Sequence, residues 1–393
     1  MKAVEIKPNV YWVGGIDWNL RNFHGYITPR GSTYNAYLII DEKITLIDTV
    51  KHYLFDEMKS RISSVVDPEE IDIIISNHVE MDHSGSLPKI LEIATEATLI
   101  TSTRGKSGLQ KHYSKNWNFE VVNAGDTFSI GKRTLDFVPI PMVHWPDSMV
   151  THSPHDKILF PNDAFGQHIA TTERFDDEIE WGILKEEAAK YYANIVLPYG
   201  GQVQKALKSV SQLEFDTIAP SHGIIWRDHI SDIINLYKSW SKNETKPIAV
   251  IVYDTMWGST EQLAHAFASG LEQKDIDVRL RNIQRTPFSE IITDILEAEL
   301  IAIGSPTLNN NMLPTVGGFL TYLKGLRPKD RTGFVFGSYG WGGQAVKLIE
   351  KTLEELKWTI PEDSININYV PNKKDLANIE NKGKKLAEKI KNE

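Results

Sequence analysis

The sequence predicts a two-domain α/β protein. A mixed domain rich in antiparallel strands covers residues 1–246, and a doubly wound parallel sheet covers 247–393. Three observations carry this expectation. The chain of 393 residues exceeds one ordinary core and suffices for two. A polar stretch at 239–247, Ser-Trp-Ser-Lys-Asn-Glu-Thr-Lys-Pro, reads as a linker. The two sides of that stretch are also patterned differently. Before it, strands come early and close together; after it, strands and helices alternate regularly.

In the first part, residues 10–13, 34–40, 44–48 and 71–76 alternate or run apolar between Gly and Asp turns, and read as strands. Helices are expected at 87–94, 104–113 and 185–197. Further strands are expected at 98–101, 134–139 and 217–220, the last leading into Ser221-His222-Gly223. In the second part, strands are expected at 248–253, 278–283, 300–304, 333–337 and 365–369. Helices lie between them, near 260–272 and 290–297 among others, and one closes the chain. In such a sheet the ligand sits at the carboxyl ends of the strands.

Composition narrows the function classes. Hydrophobic residues make up 41% and charged residues 24%, as in a globular protein that works in water. A net charge of -9 argues against a nucleic-acid partner, since only the last helix is Lys-rich. No apolar run approaches the roughly 18 residues of a membrane span, and residues 1–11 lack the apolar core of a signal peptide. The expected location is therefore the cytoplasm. Cysteine is absent, which excludes disulfides, thiolate metal sites and a thiol nucleophile. An electron-transfer centre would need an organic cofactor or a metal held by nitrogen and oxygen.

The chemistry concentrates at the end of the 71–76 strand. Asn77-His78-Val79-Glu80-Met81-Asp82-His83-Ser84-Gly85 sets two imidazoles and two carboxylates in six residues. That mixed donor set suits iron, manganese or zinc. His144, Asp163 and His222 also sit in loops after strand-like runs. Seven side chains exceed what one ion with an open position can use, whereas two ions sharing a bridging carboxylate can use them all.

This pattern resembles the metallo-β-lactamase superfamily, whose loop reads His-x-His-x-Asp-His with a distant His, Asp and His. Glu80 stands in place of the second histidine, and with that change the pattern resembles the flavodiiron branch, where the metals are iron. A hard anionic oxygen ligand helps stabilise ferric iron. The resemblance implies an N-terminal αββα sandwich. It also implies one iron on His78, Glu80 and His144, a second on Asp82, His83 and His222, and Asp163 as the bridge. In some members the residue matching His83 does not bind. By the same resemblance His24, His168 and Tyr192 line the diiron pocket as catalytic groups. His52, His112, His152, His155, His229 and His265 have no motif context.

The loop after the first strand of the second part, Asp254-Thr255-Met256-Trp257-Gly258-Ser259-Thr260, has small hydroxyl residues around a glycine and opens a helix. Backbone N–H groups, hydroxyls and the helix dipole there favour a phosphate. The loop is neither Gly-x-Gly-x-x-Gly nor a P-loop; it resembles the flavodoxin phosphate loop. Ser305, Pro306, Thr307, Leu308, Asn309 and Asn310 follow the third strand. Ser338, Tyr339, Gly340, Trp341, Gly342 and Gly343 follow the fourth. FMN is expected over FAD or NAD, because the loop suits a terminal monophosphate and no ribose-binding acid follows about 20 residues on. A flavodoxin-like domain without cofactor remains the alternative.

Taken together, the resemblance to the flavodiiron (A-type flavoprotein) family spans nearly the whole chain. It implies an FMN-linked oxidase that reduces dioxygen to water, or nitric oxide to nitrous oxide. It also implies a head-to-tail homodimer or a homotetramer, in which the FMN of one copy serves the irons of the other. With no cysteine for a fused rubredoxin, the donor expected is a separate rubredoxin or, preferentially, the reduced deazaflavin coenzyme F-420. A zinc hydrolase of the lactamase type is the distant alternative.

Overall fold

The computed structural model describes residues 1–272 and 276–390. Contacts divide the chain into two compact units: residues 1–24, 28–191 and 199–241, and residues 25–27, 192–198 and 242–393.

The first unit is built on two sheets. Seven strands run in the order Val4–Lys7, Val10–Trp12, Tyr37–Ile39, Thr45–Ile47, Ile73–Ser76, Thr98–Ser102 and Phe119–Val122. The pairs are antiparallel up to Thr45–Ile47 and parallel beyond it. The second sheet orders Thr127–Ser129, Thr134–Pro139, Met149–Ser153, Ile158–Phe160 and Thr217–Ile218. Period-2 alternation divides the apolar side chains between two cores. Leu38, Leu46, Ile74 and Leu99 pack with Phe55, Met58, Leu87 and Leu109 of the covering helices. Their neighbours Ile39, Ile47, Ile73, Ile75 and Ile100 pack instead with Leu135, Phe137, Met149, Ile158 and Phe160 of the second sheet. Sheet on sheet with helices outside is the αββα sandwich.

The second unit is a parallel sheet in the order Asp277–Asn282, Lys246–Tyr253, Ala298–Leu308, Thr332–Tyr339 and Ile365–Asn368. On one face, Ala249, Ile251, Leu300, Phe334 and Phe336 pack under the helices Ser259–Glu272 and Lys373–Ile390. These helices touch closely: a Cβ on Gly270 would collide with the Glu380 carbonyl oxygen. Val250, Val252, Ile301 and Ile303 alternate with the first set and are equally buried, so both faces are covered.

Several elements differ from the sequence reading. The expected linker is short, because helix Ile230–Ser241 and strand Lys246–Tyr253 consume most of it. Pro247 is tolerated near the start of that strand, where the pairing register shifts between Lys246 and Ala249. The division falls after Ser241 rather than at 246, and 25–27 and 192–198 group with the second unit. Hydrogen bonds explain that grouping: Ile27 N–H donates to Ser289 Oγ, and Asn194 donates to Ser289 O and accepts from the Tyr322 hydroxyl. The expected 34–40 strand is two, Ser32–Tyr34 and Tyr37–Ile39, paired in different sheets. The expected 185–197 helix is Trp181–Tyr191, followed by a wider π-helical turn at Tyr192–Val196. The 300–304 strand extends to Leu308 and folds back through Asn309 and Asn310 onto Asn311–Met312. Positive φ at both asparagines is what a tight two-residue hairpin turn requires.

Candidate metal centre and flavin cavity

The first-unit site lies at strand ends. His78 follows Ile73–Ser76, and Glu80 precedes a single helical turn, Met81–Ser84, that carries Asp82 and His83. His144 and Asp163 follow the strands Thr134–Pro139 and Ile158–Phe160, and His222 follows Thr217–Ile218.

Side-chain atoms from all seven residues converge. His78, His144 and Asp163 form one cluster, and Asp82, His83 and His222 a second. Glu80 Oε2 lies 3.4 Å from Nε2 of both His78 and His144. Asp163 joins the two clusters. Its Oδ2 lies 3.5 Å from Nε2 of His78 and of His144, while its Oδ1 lies 3.0 Å from His83 Nε2 and 3.5 Å from His222 Nε2. Asp82 Oδ2 is 3.4 Å from His83 Nε2 and 3.3 Å from His222 Nε2.

These spacings test the fit of metal ions. Two donors bound at about 2.1 Å, at octahedral to tetrahedral angles, stand roughly 3.0–3.4 Å apart. Both oxygens of Asp82, and Asp163 Oδ2, are buried yet accept no well-formed hydrogen bond. Groups aimed at common points rather than at one another fit two ions.

Other residues fix the ligands. Asp147 Oδ2 accepts from His78 Nδ1 at 3.0 Å and from the Val79 amide at 2.8 Å. His222 Nδ1 donates to the Thr33 carbonyl at 2.9 Å. Such contacts set the tautomer that turns Nε2 toward a metal. Asn35 holds the His222 loop by donating to the carbonyls of Ser221, Pro220 and Gly223. Buried Asp48 ties Asn77 to Asn162, the residues before His78 and Asp163.

Burial opposes ionisation of Glu80, but hydrogen bonds from His144 and His78 outweigh it and hold its carboxyl down at about 2. Burial also opposes ionisation of Asp82, which His83 and His222 hold at about 2. The histidines move the other way. Against the cost of burial, Asp82 and Asp163 raise His83 to about 9, and Asp163 and Glu80 raise His144 to about 9. Protons and metal ions therefore compete for the same imidazole nitrogens.

The expected pocket residues fare unequally. His24 is largely exposed, with Nε2 3.6 Å from Glu80 Oε1. His168 is buried, its Nδ1 2.7 Å from Ser32 Oγ and its ring 4.8 Å from that of His222. Burial, then His222, lowers its pKa well below the usual range, so it is neutral. Tyr192 is buried one residue beyond the tyrosine that reaches the cluster. Its neighbour Tyr191, last in the helix, donates to Asp163 Oδ1 at 3.1 Å, while Tyr192 begins the wider turn and groups with the second unit. The sequence reading also missed Asp147, three residues beyond His144. A carboxylate so close to a histidine ligand was the available signal.

In the second unit, three strand-end loops enclose a cavity of about 730 Å³, within the range of small-molecule sites. Thr255, Met256, Trp257 and Ser259 line it from the first loop, Pro306 to Asn310 from the second, and Ser338 to Trp341 from the third. Gly258 bends the first loop at φ +83 and donates its N–H to Thr255 Oγ1; a Cβ there would meet nothing within 4 Å. Asp254 braces the loop, accepting from the Thr255 amide, Gln284 and Thr315.

Five expected residues are not among the lining. Gly258 shapes the loop. Thr260 is buried, with its hydroxyl 3.0 Å from that of Ser338. Ser305 spends its hydroxyl on the Leu313 amide and the Pro306 carbonyl. Gly342 and Gly343, both at positive φ, lead into the helix Gln344–Glu355. Tyr369 and Val370, missed in sequence, complete the wall after the fifth strand. Trp257 and Trp341 are 92% and 82% exposed, a cost repaid when an apolar surface covers them. Hydroxyls at a helix N-terminus and aromatic groups at the rim fit a phosphate and a planar ring.

A sandwich with two adjoining clusters of metal-ligand type, joined to a flavodoxin-like unit, defines a class of redox flavoprotein built on a lactamase-like fold. Comparisons with known proteins agree. Residues 33–223 match the ODP family beta lactamase, and residues 251–383 match flavodoxin. The chain is 44% identical to a nitric oxide reductase of Moorella thermoacetica over 99% of each chain. It is 41% identical to the coenzyme F-420H(2) oxidase of Methanocaldococcus jannaschii, over 98% of this chain and 97% of that one. Among solved structures it is similar to the rubredoxin oxygen:oxidoreductase of Desulfovibrio gigas, with a TM-score of 0.98, 38% identity and coverage of 100% and 99%. The chain belongs to the flavodiiron protein family and is an oxidoreductase. FMN and a pair of iron ions are the cofactors of that family, and both sites have residues that fit them.

Proposed function

We propose that the protein reduces dioxygen to water with electrons from an external donor, the reduced deazaflavin coenzyme F-420. The observation that carries the redox chemistry is Glu80, an anionic oxygen 3.4 Å from two imidazole nitrogens where a zinc hydrolase has a third nitrogen; the donor is proposed from the 41% identical relative named a coenzyme F-420H(2) oxidase. When bound, FMN would supply electrons singly or in pairs, and the iron pair would supply reversible redox steps. His78, Glu80 and His144 would hold one ion, Asp82, His83 and His222 the other, with Asp163 between the two sets. Tyr191 keeps its O–H on Asp163 Oδ1, which orients that carboxylate. His24, exposed beside Glu80, is the group suited to carry protons in from solvent. Neutral His168 packs against His222 and Phe23 and excludes water on that side. The loops lined by Thr255, Ser259, Trp341 and Tyr369 bind FMN.

A second reading, nitric oxide reduced to nitrous oxide with rubredoxin as donor, draws support from the 44% identical relative named a nitric oxide reductase. Stopped-flow mixing with each reduced donor, followed at the FMN absorbance, separates the donors. Consumption of dioxygen against nitric oxide separates the acceptors. Iron and FMN analysis tests the reading as a whole: about two irons and one FMN per chain are expected, and stoichiometric zinc without flavin would refute it.

A head-to-tail homodimer, alone or paired into a tetramer, is the assembly proposed. The exposed rim of Trp257 and Trp341 supports it, since a second copy would cover those rings. Dilution to monomer should abolish turnover while both cofactors stay bound; a fully active monomer would sink the assembly. Among the described residues no helix is long and apolar enough to cross a membrane. A diffusible reduced donor fits the cytoplasm, and recovery in washed membranes on fractionation would count against that setting.

A further inference from the structure

A small apolar cavity lies on the other side of the loops that carry His144 and Asp163. Its volume is about 20 Å³. That exceeds the roughly 10–15 Å³ that one water-sized guest needs. Val143 and Ala164, next in sequence to His144 and Asp163, form part of the wall together with Phe165. The helix Gly200–Val210 contributes Ala206 and Leu207, which are half-buried and form the side nearest solvent. The one hydroxyl in the lining, that of Tyr237, accepts the Phe165 amide at 2.8 Å. Water needs two or more polar partners to stay in such a space, and this wall offers next to nothing else polar. An apolar diatomic gas loses nothing by leaving water for it.

We infer that this cavity is an entry and holding site for the diatomic acceptor, dioxygen or nitric oxide, behind the metal loops. The inference rests on the proposed gas-reducing function. Small motions of Val143 and Ala164 connect the cavity to the ligand shell, and the half-buried Ala206 and Leu207 admit the gas from outside. Neither the metal ligands nor the flavin loops contribute a side chain to it, so it can be altered without touching either cofactor.

The test uses the FMN- and iron-loaded protein. In xenon-pressurised crystals a xenon atom should occupy this cavity. The substitution Ala206→Phe fills it. Xenon should then be lost, and kcat/KM for the gas should fall roughly tenfold. Iron content and the rate of flavin reduction by the donor without acceptor should not change. Should Ala206→Phe fail to fold, Leu207→Ala widens the cavity and should raise xenon occupancy. No xenon in an active wild-type enzyme, an unchanged kcat/KM in a folded Ala206→Phe protein, or unaltered occupancy in Leu207→Ala would each overturn the role. A loaded protein that consumes neither gas with any donor overturns the functional reading itself, and xenon occupancy is still measurable in that protein.

Discussion

The metal cluster and the flavin cavity solve opposite problems. At the metal cluster, most of the charged and polar side chains are buried, and several are aimed by other residues. Asp147 turns His78, Thr33 turns His222, and Asp48 ties together Asn77 and Asn162, the residues before His78 and Asp163. At the flavin cavity, short loops present backbone and small hydroxyls, and the large rings stand in solvent. The first site is fixed before its ligand arrives because unpaired buried charge is too costly to leave mobile. The second can complete itself on binding, since its backbone donors are already set by strand ends and a helix N-terminus.

The difference can be broken most severely at Asp163. Asp163→Asn removes the one carboxylate shared by both clusters. Both irons should be lost, by more than the roughly 10–100-fold in affinity that removing a ligand's hydrogen-bond partner costs. Elemental analysis checks this, and the flavin spectrum should persist. Iron retained at two per chain would show that Asp163 is not the bridge. Asp147→Asn comes next. It keeps the shape but weakens the acceptor on His78 Nδ1, so metal affinity should fall about 10–100-fold. Titration with ferrous iron should show the loss at one of two sites; equal loss at both would mean that Asp147 acts on the whole fold.

The same contrast explains what the sequence made legible. Metal ligands are read from side-chain chemistry: His78, Glu80, Asp82 and His83 fall within six residues, and an imidazole–carboxylate run of that density has few structural uses. The flavin loops are read from position, because regular strand–helix alternation puts each at a strand end. What escaped were residues whose roles depend on partners far along the chain. Thr33 and Asn35 contact the His222 loop across nearly 190 residues, and no local pattern marks them. Tyr191 and Tyr192 are adjacent and alike in sequence. Only the change from α-helix to a wider turn between them decides which one faces Asp163.

A change at the flavin rim should be milder than either metal-site change. Trp341→Ala removes an exposed ring from the cavity mouth, and FMN affinity should weaken about tenfold, the scale of one lost aromatic contact. Iron content should be untouched. Fluorescence titration of the apoprotein with FMN reads the change, and an unaltered affinity would mean that Trp341 serves another surface.

The change that leaves both cofactors bound sharpens the comparison most. Tyr191 and Tyr192 are both buried, and burial raises the hydroxyl pKa of each above the usual range. Only for Tyr191 do Asp163, Asp82 and Glu80 add to the rise, because only its hydroxyl faces the carboxylates. Tyr191→Phe therefore removes a hydrogen bond to an ionised group, worth about 1.5–3 kcal/mol. Iron should remain, since no ligand is lost. The Mössbauer or visible signature of the iron pair should shift, and turnover should slow. Tyr192→Phe should leave metal content, spectrum and turnover as they were. If Tyr192→Phe alters the iron spectrum and Tyr191→Phe does not, the turn that separates the two residues has been assigned the wrong phase, and the ordering of the Asp163 carboxylate must come from Ser221, whose hydroxyl also lies 3.1 Å from its Oδ1.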